Sequence, residues 1–203
     1  MQVRPKIDLT FSICLRHTVR QDPDIIMVGE IRDVETAQHA VQASLTGHLV
    51  FSTLQTNDAA GTLTRLIDMG VEPFLITSTL KGVLAQRLVR RICKNCREPY
   101  VPDEAALESL DLTPEDIKGK VIYYGKGCET CNNIGYSGRI AISELLVLND
   151  NIRSLIIQKV PLSELREAAR KQGMKTLRED GLDKIYEGVT TIEEVLGETQ
   201  YYG

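Results

Sequence analysis

Two Cys-x-x-Cys pairs carry the clearest chemical signal in this sequence. Cys93 and Cys96 form the first pair, and Cys128 and Cys131 form the second, with residues 97–127 between them. Each pair can place two thiolates around one ion, and two pairs complete a tetrahedral zinc site. Because this separation is longer than in common zinc ribbons, we expect a folded segment within it. A redox role is an alternative for such pairs, although neither has the strand-to-helix setting of a thioredoxin-like motif, and free thiols are another.

An acidic residue follows a short apolar run near the start of the chain. Residues 24–28 read Asp-Ile-Ile-Met-Val, which is typical of a buried parallel strand, and Gly29 and Glu30 follow. A carboxylate just beyond such a strand lies where open α/β sheets bind their ligands. In a nucleotide hydrolase it can orient the attacking water, or hold Mg²⁺ through water. The alternative is that Glu30 only caps or pairs at the strand end.

Polar residues flank the next apolar run, 49–51. His48 precedes the run, and Ser52 and Thr53 follow it. Polar groups at the carboxyl end of a strand that neighbours another such end can sense a terminal phosphate. A single histidine is more often structural than catalytic, so the pattern by itself favours a structural His48.

Helix signals separate these runs. Asp33 can cap a helix that begins at Val34, and Asn57 or Asp58 can cap another that ends at Gly70. The alternation of strand and helix predicts a parallel sheet with crossover helices.

The later part of the chain is predicted less regularly. A longer helix is expected over 73–91, since its apolar residues follow helical spacing: Leu80, Val83, Leu84 and Leu88. Strands are predicted near 121–124 and 140–146, and helices beyond Asn149. The basic stretch 81–97 can dock a partner or acidic lipid, or can be a solvated face with ion pairs at a subunit interface.

Composition excludes several classes of protein. The chain has 203 residues, a net charge of −4 and 42% hydrophobic residues, so extensive disorder is not expected. A mildly acidic chain is a poor candidate for nucleic-acid binding. No run is apolar and long enough to span a membrane, and the start lacks the apolar core of a secretory signal, so we expect a cytoplasmic protein.

Four stretches together resemble one family, the ATPases of type II secretion and type IV pilus assembly. They are residues 15–33, 46–54, 85–93 and 135–139. The first resembles the family's Walker B region, the second its His box, and the last two the flanks of its tetracysteine module. The resemblance implies a cytoplasmic homo-hexamer with a RecA-like core, which hydrolyses ATP to drive an inner-membrane platform protein and membrane-anchored pilus or secretion components.

The resemblance also implies roles for residues. Glu30 aligns with the catalytic glutamate and His48 with the first His-box histidine. Glu30, Arg32, His48 and Thr53 form the expected set for Mg²⁺ and ATP. The four paired cysteines align with zinc ligands.

Two departures from the family pattern matter. Gln55 stands where many relatives have a second histidine, and it cannot titrate near neutral pH. No G-x-x-x-x-G-K-[ST] loop occurs in the sequence, although such a loop supplies most phosphate contacts. We therefore expect a C-terminal fragment that is inactive alone. The alternative is a non-catalytic, zinc-bearing module that docks the platform protein, while DNA-uptake or conjugation motors form a third class.

The expected fold class is α/β. A partial RecA-like core with Walker B and the His box occupies 1–90, a tetracysteine zinc module 91–146, and a helical C-terminal region 147–203. The protein is expected at the cytoplasmic side of the inner membrane.

Overall fold

A computed structural model describes residues 10–199, so the ends of the predicted first and last regions, 1–9 and 200–203, lie outside the described residues. The α/β class is confirmed. The helices are α1 (Phe11–Val19), α2 (Val34–Leu45), α3 (Ala59–Asp68), α4 (Pro73–Thr79), α5 (Glu104–Glu108), α6 (Asp150–Gln158), α7 (Leu162–Lys171), α8 (Leu177–Tyr186) and α9 (Ile192–Thr199). The strands are β1 (Ile25–Val28), β2 (Leu49–Ser52), β3 (Gly82–Ile92), β4 (Arg97–Tyr100), β5 (Ile122–Gly125) and β6 (Tyr136–Val147). None of the helices in 10–199 has the length and apolar character needed to cross a bilayer.

The chain forms two compact units, each made of two separate stretches. Among residues 10–199, the first comprises 10–83 and 146–172, and the second comprises 84–145 and 173–199. The spatial units therefore do not follow the order of the sequence. The predicted division at residues 90 and 146 stays a prediction.

The first unit contains a parallel pair of strands. β1 pairs with β2 in the register Ile25 to Leu49 and Val28 to Ser52, and α2 makes the connection between them. This is the predicted strand–helix–strand arrangement. The expected burial of β1 holds for one face only, because Ile26 and Val28 are buried whereas Ile25 and Met27 are exposed.

Side-chain caps begin the two helices that were predicted around these strands. The Asp33 carboxylate accepts a hydrogen bond from the backbone N–H of Thr36 at 2.7 Å and starts α2. Asp58, rather than Asn57, starts α3 by accepting from the N–H of Gly61 at 2.6 Å. Each cap satisfies a backbone donor that the helix leaves unpaired, which is why short-range sequence locates these helix starts well.

The predicted helix over 73–91 is wrong beyond its first turns. The chain leaves helix at Leu80 and continues as the strand β3, which pairs with β6. Exposed and more buried residues alternate along most of β3, as a strand requires. The four apolar residues used for the prediction also fit helical spacing, so period alone could not decide between the two structures. The basic residues Arg87, Arg90 and Arg91 accordingly lie on a strand.

The second unit fills the gap between the cysteine pairs with folded structure, as expected. β4 and β5 are antiparallel, with Arg97 opposite Gly125 and Tyr100 opposite Ile122, and α5 lies between them in sequence. Two C-terminal helices, α8 and α9, complete a core with this segment; its buried members are Leu110, Ile122, Ile185, Ile192 and Val195.

A second core lies beside the β3–β6 pair. Val89, Ile142 and Leu177 are fully or almost fully buried there. The predicted strands near 121–124 and 140–146 correspond to β5 and β6, although β6 is longer than predicted.

Candidate functional sites

The four paired cysteines meet in one cluster in the second unit. Their Sγ atoms all lie within 4.8 Å of one another, and three cysteines are buried while Cys128 is partly exposed. The measured Sγ–Sγ distances are 3.9 Å for Cys93–Cys128, 3.8 Å for Cys96–Cys131 and 3.7 Å for Cys128–Cys131. A tetrahedron with metal–sulfur bonds of about 2.3 Å has edges of about 3.8 Å. The cluster therefore has the size and the donor set to hold a metal ion.

Two turns position these thiols. Cys93 follows the end of β3, and its N–H donates to the carbonyl of Gly135 at 2.9 Å. Cys131 ends a short 3₁₀ turn, Glu129–Cys131, and Asn132 follows in a left-handed conformation with φ 52°. The prediction that the two Cys-x-x-Cys pairs meet in one cluster is confirmed. All four cysteines are free thiols, so their sulfur atoms are not joined in disulfides.

Backbone N–H groups point at two of the sulfur atoms. Gly127 donates to Cys96 Sγ, and Cys128 and Gly135 donate to Cys131 Sγ, each at 3.3 Å. Burial by itself raises the pKa of a thiol, and it raises that of Cys96. At Cys131 the donated hydrogen bonds outweigh burial, so its pKa is lowered. Of Cys96 and Cys131, Cys131 is therefore the thiol that ionises first, and a thiolate is the form that binds metal.

The carboxylate of Glu30 lies just past the end of β1 in the first unit. It accepts a hydrogen bond from Nε of Arg32 at 2.7 Å, Nη2 of the same guanidinium lies 2.6 Å away in an ion pair, and the Glu30 side chain is 24% exposed. The hydrogen bond to Glu30 raises the pKa of Arg32. Glu30 and Arg32, two predicted site residues, are thus brought together, and the carboxylate has a defined orientation.

Thr53 joins the ends of the two strands. Its hydroxyl donates to the carbonyl of Gly29 at 2.6 Å, and its own carbonyl accepts from the N–H of Ile31 at 2.9 Å. This brace fixes the segment that carries Glu30. The hydroxyl proton is already used, so in this geometry Thr53 supports the edge instead of donating to a phosphate.

His48 lies at the amino ends of the two strands, opposite to the carboxyl ends that carry Glu30 and Thr53. It precedes Leu49, whose N–H donates to Asp24 at the start of β1. Five residue steps of about 3.3 Å separate it from Thr53, roughly 16 Å along the strand. The structure therefore does not bring His48 to the edge that carries Glu30, because parallel strands place their starts together and their ends together.

Local contacts explain the position of His48. Its Nδ1 lies 3.0 Å from the carbonyl of Ala43 and 3.1 Å from the hydroxyl of Thr46. Because a carbonyl only accepts, Nδ1 carries the proton in the Ala43 contact. These contacts hold the junction between α2 and β2, in agreement with the structural interpretation of this histidine.

The carboxyl edge offers two further polar groups. Gln55 is exposed in the loop after β2. The Oγ of Ser52, at the last position of β2, is buried and has no hydrogen-bond partner among residues 10–199. Sequence reasoning named both residues but could not tell how far each is buried.

Sequence reasoning missed one buried ion pair. Asp58 was predicted only as a helix cap, yet its second carboxylate oxygen accepts from Arg166 on α7, at 2.8 Å from Nε. Asp58 is 3% exposed. A partner 108 residues away in sequence leaves no local signal.

The sequence profile of the Type II/IV secretion system proteins matches residues 1–197. The chain belongs to this family. Its family membership agrees with the Walker B, His-box and tetracysteine stretches that carried the resemblance.

Named members of the secretion system family are similar over almost the whole chain. The type IV pilus assembly ATPase PilB of Thermus thermophilus is 57% identical over 198 residues, which are 98% of this chain and 22% of that protein. Type II secretion system protein E of Pseudomonas aeruginosa is 53% identical, over 98% of this chain and 39% of its own length. The chain thus spans less than half the length of these relatives.

Solved structures of a pilus motor and of another ATPase share the fold. The pilus retraction motor PilT, crystallised with bound ADP, superposes with a TM-score of 0.64 at 28% identity, over 93% of this chain and 43% of that chain. The ATPase DotB of Legionella pneumophila has a TM-score of 0.60 at 24% identity, over 92% of this chain and 41% of its own. The DotB likeness concerns the fold alone.

Proposed function

We propose that this chain is the C-terminal part of a hexameric motor ATPase that drives assembly of a type IV pilus or of the pseudopilus of type II secretion. The observation that carries the proposal is the Glu30 carboxylate at the carboxyl edge of β1, in a chain 57% identical to a pilus assembly ATPase. Open α/β sheets bind their ligands at this edge.

In this proposal Glu30 is the catalytic carboxylate. Held by Arg32, it would orient the attacking water or bind Mg²⁺ through water when Mg-ATP is present. Arg32 and Thr53 belong to the same nucleotide edge, the first by its exposed positive charge and the second by bracing Gly29. A role for His48 at the same phosphate has no support from the geometry, and we assign it to the α2–β2 junction.

The cysteine cluster is proposed to hold one structural zinc ion. Four thiols at tetrahedral spacing are a donor set that suits zinc, and no fifth ligand or open position is needed for a structural site. The ion would add folding free energy to the second unit.

The phosphate contacts are proposed to come from outside these 203 residues, since the sequence contains no lysine-bearing phosphate loop. The chain alone is then expected to bind Mg-ATP poorly and to hydrolyse it negligibly. The complete protein would work at the cytoplasmic face of the inner membrane, against a platform protein.

ATP turnover by the complete protein tests this proposal. Glu30→Gln keeps the size of the side chain and its hydrogen bonding but removes the charge, so we expect turnover to fall by roughly 10²–10⁴. Glu72→Gln, at an exposed carboxylate that makes no cap hydrogen bond to α4, is the matched control and should retain turnover. Equal turnover in wild type and Glu30→Gln would refute the catalytic assignment. A complete protein without any turnover would favour the non-catalytic docking module.

A further inference from the structure

The loop that follows β2 ends in a buried carboxylate. Residues 53–57 connect β2 to α3, and this loop carries Thr53 and the exposed Gln55 at the nucleotide edge. Asp58 closes the loop and is 3% exposed. A charge so completely removed from water needs a partner, because an uncompensated buried charge is strongly unfavourable.

Asp58 is bound on both carboxylate oxygens. Oδ1 accepts from the N–H of Gly61 at 2.6 Å and so starts α3. Oδ2 accepts a hydrogen bond from Nε of Arg166 at 2.8 Å, and Nη2 of the same planar guanidinium lies 2.5 Å from this oxygen in an ion pair. One carboxylate therefore joins the start of α3 to α7.

The surrounding contacts leave this carboxylate little freedom. The hydroxyl of Thr56, within the loop, donates to the carbonyl of Asp58 at 3.2 Å and lies 2.8 Å from the hydroxyl of Thr62. A Cβ on Gly61 would lie 2.5 Å from Asp58 Oδ1, so the glycine is what allows the carboxylate to stay in place. Moving Asp58 must also move the loop.

Arg166 comes from a distant part of the sequence but from the same compact unit. It lies on α7, which packs against α3 and α6, and its side chain is 38% exposed. Arg166 is part of α7, so its contact with Asp58 connects that helix to the end of the loop 53–57.

We propose that Arg166 is a positioning residue for ATP hydrolysis, acting through Asp58 on the loop 53–57. Through this ion pair, the position of α7 sets where Thr53 and Gln55 stand at the nucleotide edge. The inference rests on the proposed ATPase function, and it adds a link between hydrolysis and the helices after β6. Arg166 touches no substrate, and its effect is on the rate of the chemical step.

Steady-state ATP hydrolysis by the complete protein tests the link, with kcat and KM measured separately. Arg166→Gln and Asp58→Asn are each expected to lower kcat about tenfold and to change KM less than twofold. Asn keeps a good helix cap at 58, so the loss in that variant reports the ion pair. Lys171→Gln, which removes an exposed pair with Glu167 on the same helix, should leave kcat unchanged.

A double variant separates positioning from independent effects. Because both residues act through one contact, Asp58→Asn combined with Arg166→Gln should lower kcat no further than the worse single variant. Arg166→Lys keeps the charge but not the planar grip, so its kcat should be intermediate; it also serves if Arg166→Gln does not fold. Melting temperatures measured alongside show that each variant is folded at the assay temperature.

A purely structural pair would lower the melting temperature of Arg166→Gln and leave kcat within twofold of wild type, and that result would overturn the inference. A double variant whose loss equals the product of the two single losses would also overturn it. Failure of the proposed function would give a different result. The wild-type protein would then either not hydrolyse ATP or hydrolyse it as fast as Glu30→Gln does.

Discussion

Gly125 and Gly135 bring two backbone segments next to the cysteine cluster closer together than any side chain allows. A Cβ on Gly125 would lie 2.0 Å from the carbonyl oxygen of Gly135, and a Cβ on Gly135 would lie 2.3 Å from that of Gly125. The same Gly135 bonds to Cys93 and Cys131 through its carbonyl and its N–H. The close approach therefore helps to hold the two cysteine pairs in one place.

This approach predicts a large effect of one methyl group. Gly125→Ala should destabilise the protein by about 2 kcal/mol or more, because the clash is with backbone and not with a movable side chain. Thermal unfolding and metal content would both show it, the latter as weaker retention against a chelator. Gly197→Ala is the matched control: it has open space around it on α9, so it should be neutral or slightly stabilising. Equal melting temperatures for Gly125→Ala and wild type would contradict the close contact between the Gly125 and Gly135 backbones.

Metal analysis is expected to find about one zinc ion per chain. Cys128→Ser should remove most of that metal and lower the melting temperature, because three thiolates leave the tetrahedral site incomplete. Cys14→Ala, at a buried thiol in the first unit, should keep the metal. A chelator should lower the melting temperature of the control and have little further effect on Cys128→Ser. Unchanged metal content in Cys128→Ser would exclude the site.

The stability of the second unit should depend on pH through Glu194. Partial burial favours a raised pKa, but Arg90 donates to this carboxylate from its guanidinium, at 2.6 and 2.9 Å, and from its backbone N–H at 2.8 Å, and these bonds lower the pKa. A carboxylate whose pKa is lower in the folded state stabilises above its unfolded pKa, about 4.3, and loses this contribution as the pH falls through the folded value.

We therefore expect wild type to be more stable than Glu194→Gln near neutral pH, by about 1 kcal/mol in the free energy of unfolding. The difference is small because Arg90 is half exposed, and water screens the pair. The difference in stability between the two proteins should become smaller as the pH falls below about 4.3. Melting of both proteins from pH 7 to pH 3 measures it, and comparison at each pH removes effects that both share, such as acid release of metal. A gap that stays constant or widens in acid would show that the carboxylate charge is not what stabilises α9.

The β3–β6 core supplies a stability prediction for the corrected strand. Ile142 is fully buried beside Val89 and Leu177, so Ile142→Ala should cost about 2–5 kcal/mol in the free energy of unfolding. Leu88→Ala removes a side chain that is 51% exposed on β3 and should cost much less. Denaturant unfolding compares the two. If β3 were helical instead, its buried positions would follow a period near 3.6 and not the alternation of the strand.

Short-range features were predictable from sequence because their partners are close in the chain. The caps at Asp33 and Asp58 each bond an N–H three residues later, and the two Cys-x-x-Cys pairs each place two ligands within one turn. The position of Glu30 after β1 also followed, since an apolar run and a glycine are local signals. Family membership came from such stretches taken together.

Tertiary structure decided what depends on partners far away in sequence. β3 became a strand because β6 pairs with it and buries alternate residues, while its apolar spacing alone also fitted a helix. The parallel register placed His48 at the edge opposite Glu30, which no residue near His48 could indicate.

The cysteine pairs and the buried ion pair show the same division between sequence and structure. Spacing alone predicts that Cys93, Cys96, Cys128 and Cys131 can bind one ion, and only the fold shows that Gly125 and Gly135 let the two pairs meet. The sequence predicts Asp58 as a helix cap, whereas its ion pair with Arg166 forms only because α7 packs against α3. Local hydrogen bonds are encoded by neighbouring residues, but burial and long-range charge pairing arise only once the chain has packed.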